Sequence, residues 1–131
     1  MSEEAVFMKL ISLCRDVLPE YIEEVNEQHN DGVILPQFTG IAAENESRTP
    51  PYMKLAITGG EYTEKDRIIG NTVYTAVLEF ELPKVLANGA AYMRYREAVR
   101  NMLQEYRSTD EWESCSMTGW KNSCVTVRVT R

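Results

Sequence analysis

The stretch VYTAVLEFEL, Val73 to Leu82, alternates apolar and polar positions through its whole length. Tyr74, Ala76, Leu78, Phe80 and Leu82 fall on one face, and Thr75, Glu79 and Glu81 on the other. A period of two sustained this far is the pattern of a half-buried strand in an antiparallel sheet. The rest of the chain is therefore read as what pairs with this strand and what covers its apolar face.

Upstream, Met53, Leu55 and Ile57 alternate with Lys54, Ala56 and Thr58 and end at Gly59-Gly60. Residues 53–82 read as a long antiparallel hairpin with its tip near Glu64-Lys65-Asp66, so that residues 59–71 project as an arm. Gly59, Gly60 and Gly70 then serve as bulges or bends. Downstream, 112–118 and 123–130 read as two closing strands around Gly119-Trp120-Lys121-Asn122, with Val125, Val127 and Val129 facing the core. A turn at Thr118 to Lys121 would set Cys115 directly opposite Cys124.

Two segments carry a helical period instead. From about Glu4 to Gln28, Val6, Phe7, Leu10, Cys14, Val17, Leu18, Tyr21, Ile22 and Val25 recur at spacings of three and four. Pro19 removes a backbone donor inside this stripe, which predicts a kinked helix or two abutting helices. Asn30-Asp31-Gly32 ends it. The second helix, about Ala90 to Ser108, is capped by Asn88-Gly89 and buries Tyr92, Tyr95, Val99, Met102, Leu103 and Tyr106. Between hairpin and first helix, Val33-Ile34-Leu35 reads as a short strand stopped by Pro36, and residues 43–51 as an exposed loop. The fold class is α+β, one domain over residues 1–131. A mostly antiparallel sheet in the order α-β-β-α-β-β carries two helices on one face.

Composition sets the class of function. The chain has 131 residues, 44% hydrophobic and 26% charged, an ordinary globular balance that supports a core without metals or disulfides. No run of 18 apolar residues is present to span a membrane, and Met1 to Glu4 lacks a secretory layout. Three cysteines without a CxxC spacing suit a reducing compartment. Twenty acids against fourteen bases speak against sequence-specific nucleic-acid binding. The charge is uneven: residues 1–66 hold 13 acids and 5 bases, a net of −8, and residues 67–131 hold 7 acids and 9 bases, a net of +2. That asymmetry is either two solvated helix faces or self-complementarity between copies.

The chain carries no catalytic constellation. His29, the only histidine, sits beside Asn30 and Asp31 at a helix end, where a solvated imidazole is favoured by the negative terminus. HExxH, paired-cysteine, GxGxxG and GxxxxGK[ST] spacings are all missing, so no metal, catalytic or cofactor residues are assigned. Glu20, Glu23, Glu24 and Glu27 lie on one helix face, either as a solvated surface or as ligands for a divalent ion. Arg96, Arg100 and Arg107 fall within about 40° of one another on the second helix, a stripe suited to phosphate or a carboxylate surface. Trp112 and Trp120 either anchor a partner or cap the sheet. An enzyme would need a deep pocket lined by Glu79, Glu81 and tyrosines with shifted ionisation.

Element order and a few residue types add a resemblance. An acidic N-terminal amphipathic helix precedes Pro50-Pro51-Tyr52-Met53-Lys54-Leu55. The hairpin segment Asp66-Arg67-Ile68-Ile69-Gly70-Asn71-Thr72-Val73-Tyr74 follows, then a helix with Tyr92, Tyr95 and Ala98, then closing strands. In this the chain resembles the small tail-terminator, tail-completion and neck proteins of long-tailed bacteriophages and prophages. The resemblance implies an α/β domain whose copies form a ring that caps the tail tube or joins head to tail. It implies no enzymatic activity and no cofactor, with tail-tube or neck proteins as partners. The expected location is the host cytoplasm during assembly and then the virion. The second C-terminal hairpin departs from the single closing strand common in that family.

On this reading the interface is built from Glu61, Lys65, Arg67, Ile68 and Ile69 of the arm, from Glu20, Glu23, Glu24 and Glu27, and from Arg96, Arg100 and Arg107. The competing reading is a small intracellular ligand- or protein-binding module or regulator, using the sheet with Trp112, Trp120 and the arginine stripe.

Overall fold

A computed structural model describes residues 3–42, 48–62 and 72–131. The chain is α+β. Helix α1 (Glu3–Ser12) runs through a π-helical turn (Leu13–Val17) into α2 (Leu18–His29). Strands β1 (Ile41–Ala42), β2 (Tyr52–Tyr62) and β3 (Thr72–Glu81) follow, then helix α3 (Gly89–Glu105), then β4 (Ser114–Lys121) and β5 (Cys124–Thr130). The sheet order is β1-β2-β3-β5-β4, antiparallel except for the short parallel β1–β2 pair.

Strand β3 sits at the centre, as its alternation requires. Ala76, Leu78 and Phe80 are buried and meet Ile57, Leu55 and Met53 of β2 on one side. On the other side Leu78 and Ala76 face Val125 and Val127 of β5. The helices bury Val6, Leu10, Leu18, Ile22, Tyr95, Val99 and Met102 against this surface in one continuous core. The opposite face of the sheet carries Lys54, Thr75, Glu79, Glu81, Thr126 and Arg128, and none of the described helices packs on it.

The first helix keeps its stripe across Pro19 by widening. The Leu18 amide donates to the Leu13 carbonyl, five residues back. A proline ring at position 19 crowds the carbonyl four residues earlier and supplies no N–H, and a single π turn relieves both problems. Asn30, in the left-handed region at φ 36°, ends α2 with its amide on the Asn26 carbonyl. Helix α3 starts as its cap predicts: the Asn88 side chain accepts from the Ala91 amide at 3.0 Å. It stops at Glu105, earlier than Ser108, with Tyr106 as C-cap.

Three other expectations change. Val33-Ile34-Leu35 is not a strand. Val33 and Ile34 are exposed, while Leu35 is buried and held by the Asn26 side chain. The extra strand is β1 instead, beside a latch in which the Thr39 amide donates to the Pro51 carbonyl at 2.8 Å and the Met53 amide to the Gly40 carbonyl at 3.1 Å.

The last hairpin turns at Asn122-Ser123, since Lys121 pairs with Cys124, and the register slips by one residue between Met117 and Gly119. Cys115 therefore faces Val129 and not Cys124, and all three thiols are free. In β2 the expected irregularity borders Gly59, where the register slips between Ile57 and Gly59, while Gly60 continues in the ladder opposite Tyr74.

Candidate functional site

The β2–β3 ladder continues to the pair Tyr62–Thr72, and residues 58–62 are all exposed. Glu61 stands opposite Val73, and Tyr62 is 85% exposed. The remaining arm residues named from the sequence, Lys65, Arg67, Ile68 and Ile69, lie outside the described residues, as does most of the loop assigned to 43–51. Residues 59–62, expected to project, instead lie within the sheet, because the β3 residues they face pair on their other side with β5 as far as Val73–Thr130; only 63–71 of the expected arm fall outside the described residues.

On α2, burial of Leu18, Tyr21, Ile22 and Val25 turns Glu20, Glu23, Glu24 and Glu27 outward, and all four are exposed. The ion pairs among the described residues use other acids: Arg94 grips Asp31, Lys9 meets Glu111 and Lys54 meets Glu81. The acidic face of α2 is therefore left to solvent or to another molecule. His29 bonds Glu97 across the helix pair at 3.2 Å, both side chains being partly exposed. Among the described residues no group of three His, Cys, Asp or Glu is placed to hold a metal ion.

The arginine stripe divides. Arg96 is buried, its guanidinium 4.2 Å above the Trp120 ring, and it donates to the Asn122 and Lys121 carbonyls of the β4–β5 turn. It is a structural clamp and leaves the proposed surface. The one-residue slip in β4 is what makes this possible. Trp120 pairs with Val125, a core-facing position, so its ring lies on the helix side of the sheet. Trp112 is buried outright, its indole N–H on the Tyr106 carbonyl at 3.0 Å. Neither tryptophan's role is visible in the alternation, because one depends on the bulge and the other on the turn after α3.

Arg100 and Arg107 remain together. They border a cleft of about 320 Å³ between α3 and β4, whose floor is Leu103 and Cys115 and whose rim includes Gln104, Ser116 and Met117. Arg107 lies just past the α3 C-cap, and its carbonyl accepts from the Cys115 amide at 2.8 Å, which ties the helix end to the strand. Both guanidiniums are on exposed residues, and neither has an ion-pair partner among the described residues.

A second cleft, of about 120 Å³, is lined by Cys14, Ile22, Phe38, Ile41 and Met53 beneath the segment leading to β1. Gln37 bonds the Pro19 carbonyl at 2.9 Å beside it. Its walls are mainly apolar, and its volume suits little more than a few atoms.

Glu79 and Glu81 stand on the helix-free face. Desolvation first, then the neighbouring Glu79 carboxylate, raises Glu81 above its usual value, opposed by Lys54 at 3.9 Å. Cys14 and Cys115 are buried thiols pushed up to about 12 by desolvation. A thiol held protonated in this way is a poor nucleophile.

No family model, no curated protein and no solved structure matches this chain. No helix among the described residues is long and apolar enough to cross a membrane.

Proposed function

We propose that this chain is a structural subunit of a phage or prophage particle, of the tail-terminator or neck type, and that it works by assembling into a ring. The resemblance in element order motivates this reading. The observation that carries it is the far end of β2, where Thr58 to Tyr62 are exposed and, among the described residues, pair only with β3, since β1 meets β2 at Met53 and Lys54 alone. An open strand edge of this kind presents unpaired backbone groups that a neighbouring chain can take up. The uncovered charge of α2 and of the α3–β4 cleft supplies two different patches, which a cyclic, head-to-tail assembly requires.

Light scattering coupled to size exclusion, across a concentration series and with a tail-tube protein added, tests the proposal. A discrete ring-sized oligomer is expected. Replacing residues 61–67 by a Gly-Asn turn should leave the circular dichroism spectrum intact and weaken assembly. A strict monomer under every condition overturns the proposal.

A further inference from the structure

The acidic face of α2 and the cleft between α3 and β4 are matched in charge and in spacing. Glu20 and Glu27 are separated by seven residues, two turns of α2 and about 10.5 Å along its axis. Arg100 and Arg107 are separated by the same seven residues along one wall of the cleft. Helical hydrogen bonding there persists to the Tyr106 amide, one residue short of Arg107. Within a subunit these charges do not meet, since α2 turns its glutamates directly away from the buried stripe and the arginines flank the β4 edge.

We propose that α2 of one copy lies along the α3–β4 cleft of the next, with Glu20 and Glu27 set against Arg100 and Arg107 and with Gln104 between them. The occupant is a second copy of this chain. An arginine fork receives a carboxylate in two hydrogen bonds, which a lone ammonium does not match, and a pair of them fixes both position and direction. The two surfaces differ, so the contact is heterologous and repeats from subunit to subunit. Leu103 and Met117 offer the cleft an apolar floor and rim that helix side chains can cover. This inference rests on the self-assembly proposed above and specifies its contact.

The test uses two charge-reversed full-length variants, Glu20→Lys with Glu27→Lys and Arg100→Glu with Arg107→Glu. Every altered residue is exposed. Association is measured by analytical ultracentrifugation at low and high salt, with circular dichroism to check folding. Wild-type protein is expected to associate more weakly as salt rises. Each variant alone should lose at least about tenfold in apparent affinity. An equimolar mixture should recover assembly, because Lys-bearing α2 then meets the Glu-bearing cleft and the unaltered surfaces meet each other.

Wild-type association without salt dependence overturns the contact, even if a variant misfolds. Variants that assemble as well as wild type also overturn it while leaving the ring proposal standing. A wild-type protein that stays monomeric removes both.

Discussion

Asn26 and Leu35 exchange two hydrogen bonds. The Asn26 amide donates to the Leu35 carbonyl at 3.0 Å, and the Leu35 N–H donates to Asn26 Oδ1 at 2.8 Å. One side chain on α2 thus completes the backbone pairing of a buried residue that belongs to no strand. It fixes the loop after α2, from which Tyr95 draws its own partner, the Pro36 carbonyl at 2.7 Å.

Asn26→Ala should therefore destabilise the fold by about 1–3 kcal/mol, the cost of leaving buried backbone groups unpaired. Urea denaturation measures it. A change below about 0.5 kcal/mol would mean that water replaces the side chain at both atoms.

The Asp31–Arg94 pair predicts a pH dependence. The Arg94 guanidinium, with help from the Val33 amide, holds Asp31 down to about 2. The carboxylate is easier to ionise folded than unfolded, where its value is roughly 3.9. Its contribution is complete above that value and is lost as pH falls toward about 2. The stability gap between wild type and Asp31→Asn should be open at pH 6 and close across this acidic window. Both side chains are reached by solvent, so added salt should narrow the gap at pH 6. A gap that persists at pH 2 sinks this assignment.

Arg96→Ala should cost about 1.5–3 kcal/mol, because it strips charged donors from the Asn122 and Lys121 carbonyls. Trp120→Ala should cost less, about 0.5–1 kcal/mol, since its ring is largely exposed and contributes mainly the cation–π contact. Thermal unfolding of the two variants gives the order directly. An equal or reversed order would assign the clamp to the tryptophan.

Iodoacetamide at pH 8 should modify Cys124 alone in the folded protein. Cys14 and Cys115 are buried and held protonated by desolvation, whereas Cys124 is partly exposed. Peptide mass spectrometry before and after denaturation reads the pattern. Native labelling of Cys115 would mean that β4 opens readily.

The long strand, the apolar stripes of both helical segments and the Asn88 cap were legible because each follows from a local rule. Alternation locates β3, a three-to-four spacing locates the stripes, and a short polar side chain before the first turn locates the cap. Strand β1 escaped because two residues carry no periodicity, and backbone bonds to the β2 end create it. The last turn was misplaced because Gly119 reads as a turn glycine, while it actually follows a bulge and Asn122-Ser123 makes the turn. That single slip also hid Arg96. Three arginines share a helix stripe on a wheel, but only the folded hairpin provides carbonyls and a ring for one of them. Arg100 and Arg107 kept their surface position, though the cleft beside them needs β4 to exist.

The π-helical turn gives the chain a phase adjustment. Val6, Leu10, Cys14, Leu18 and Ile22 follow one another at intervals of four, and each such step drifts by about 40° on an ideal helix. Four steps would carry the stripe about 160° around, out of the core. The wide turn at Leu13–Val17 takes up part of that drift, and Val6 and Ile22 end on the same side of the molecule. If residues 13–17 took up ordinary α pitch with no residue removed, everything beyond them would rotate further about the helix axis by the drift that the wide turn absorbs. The glutamates of α2 would then swing off their outward bearing, and so the widened turn sets the compass direction in which the subunit presents its negative charge.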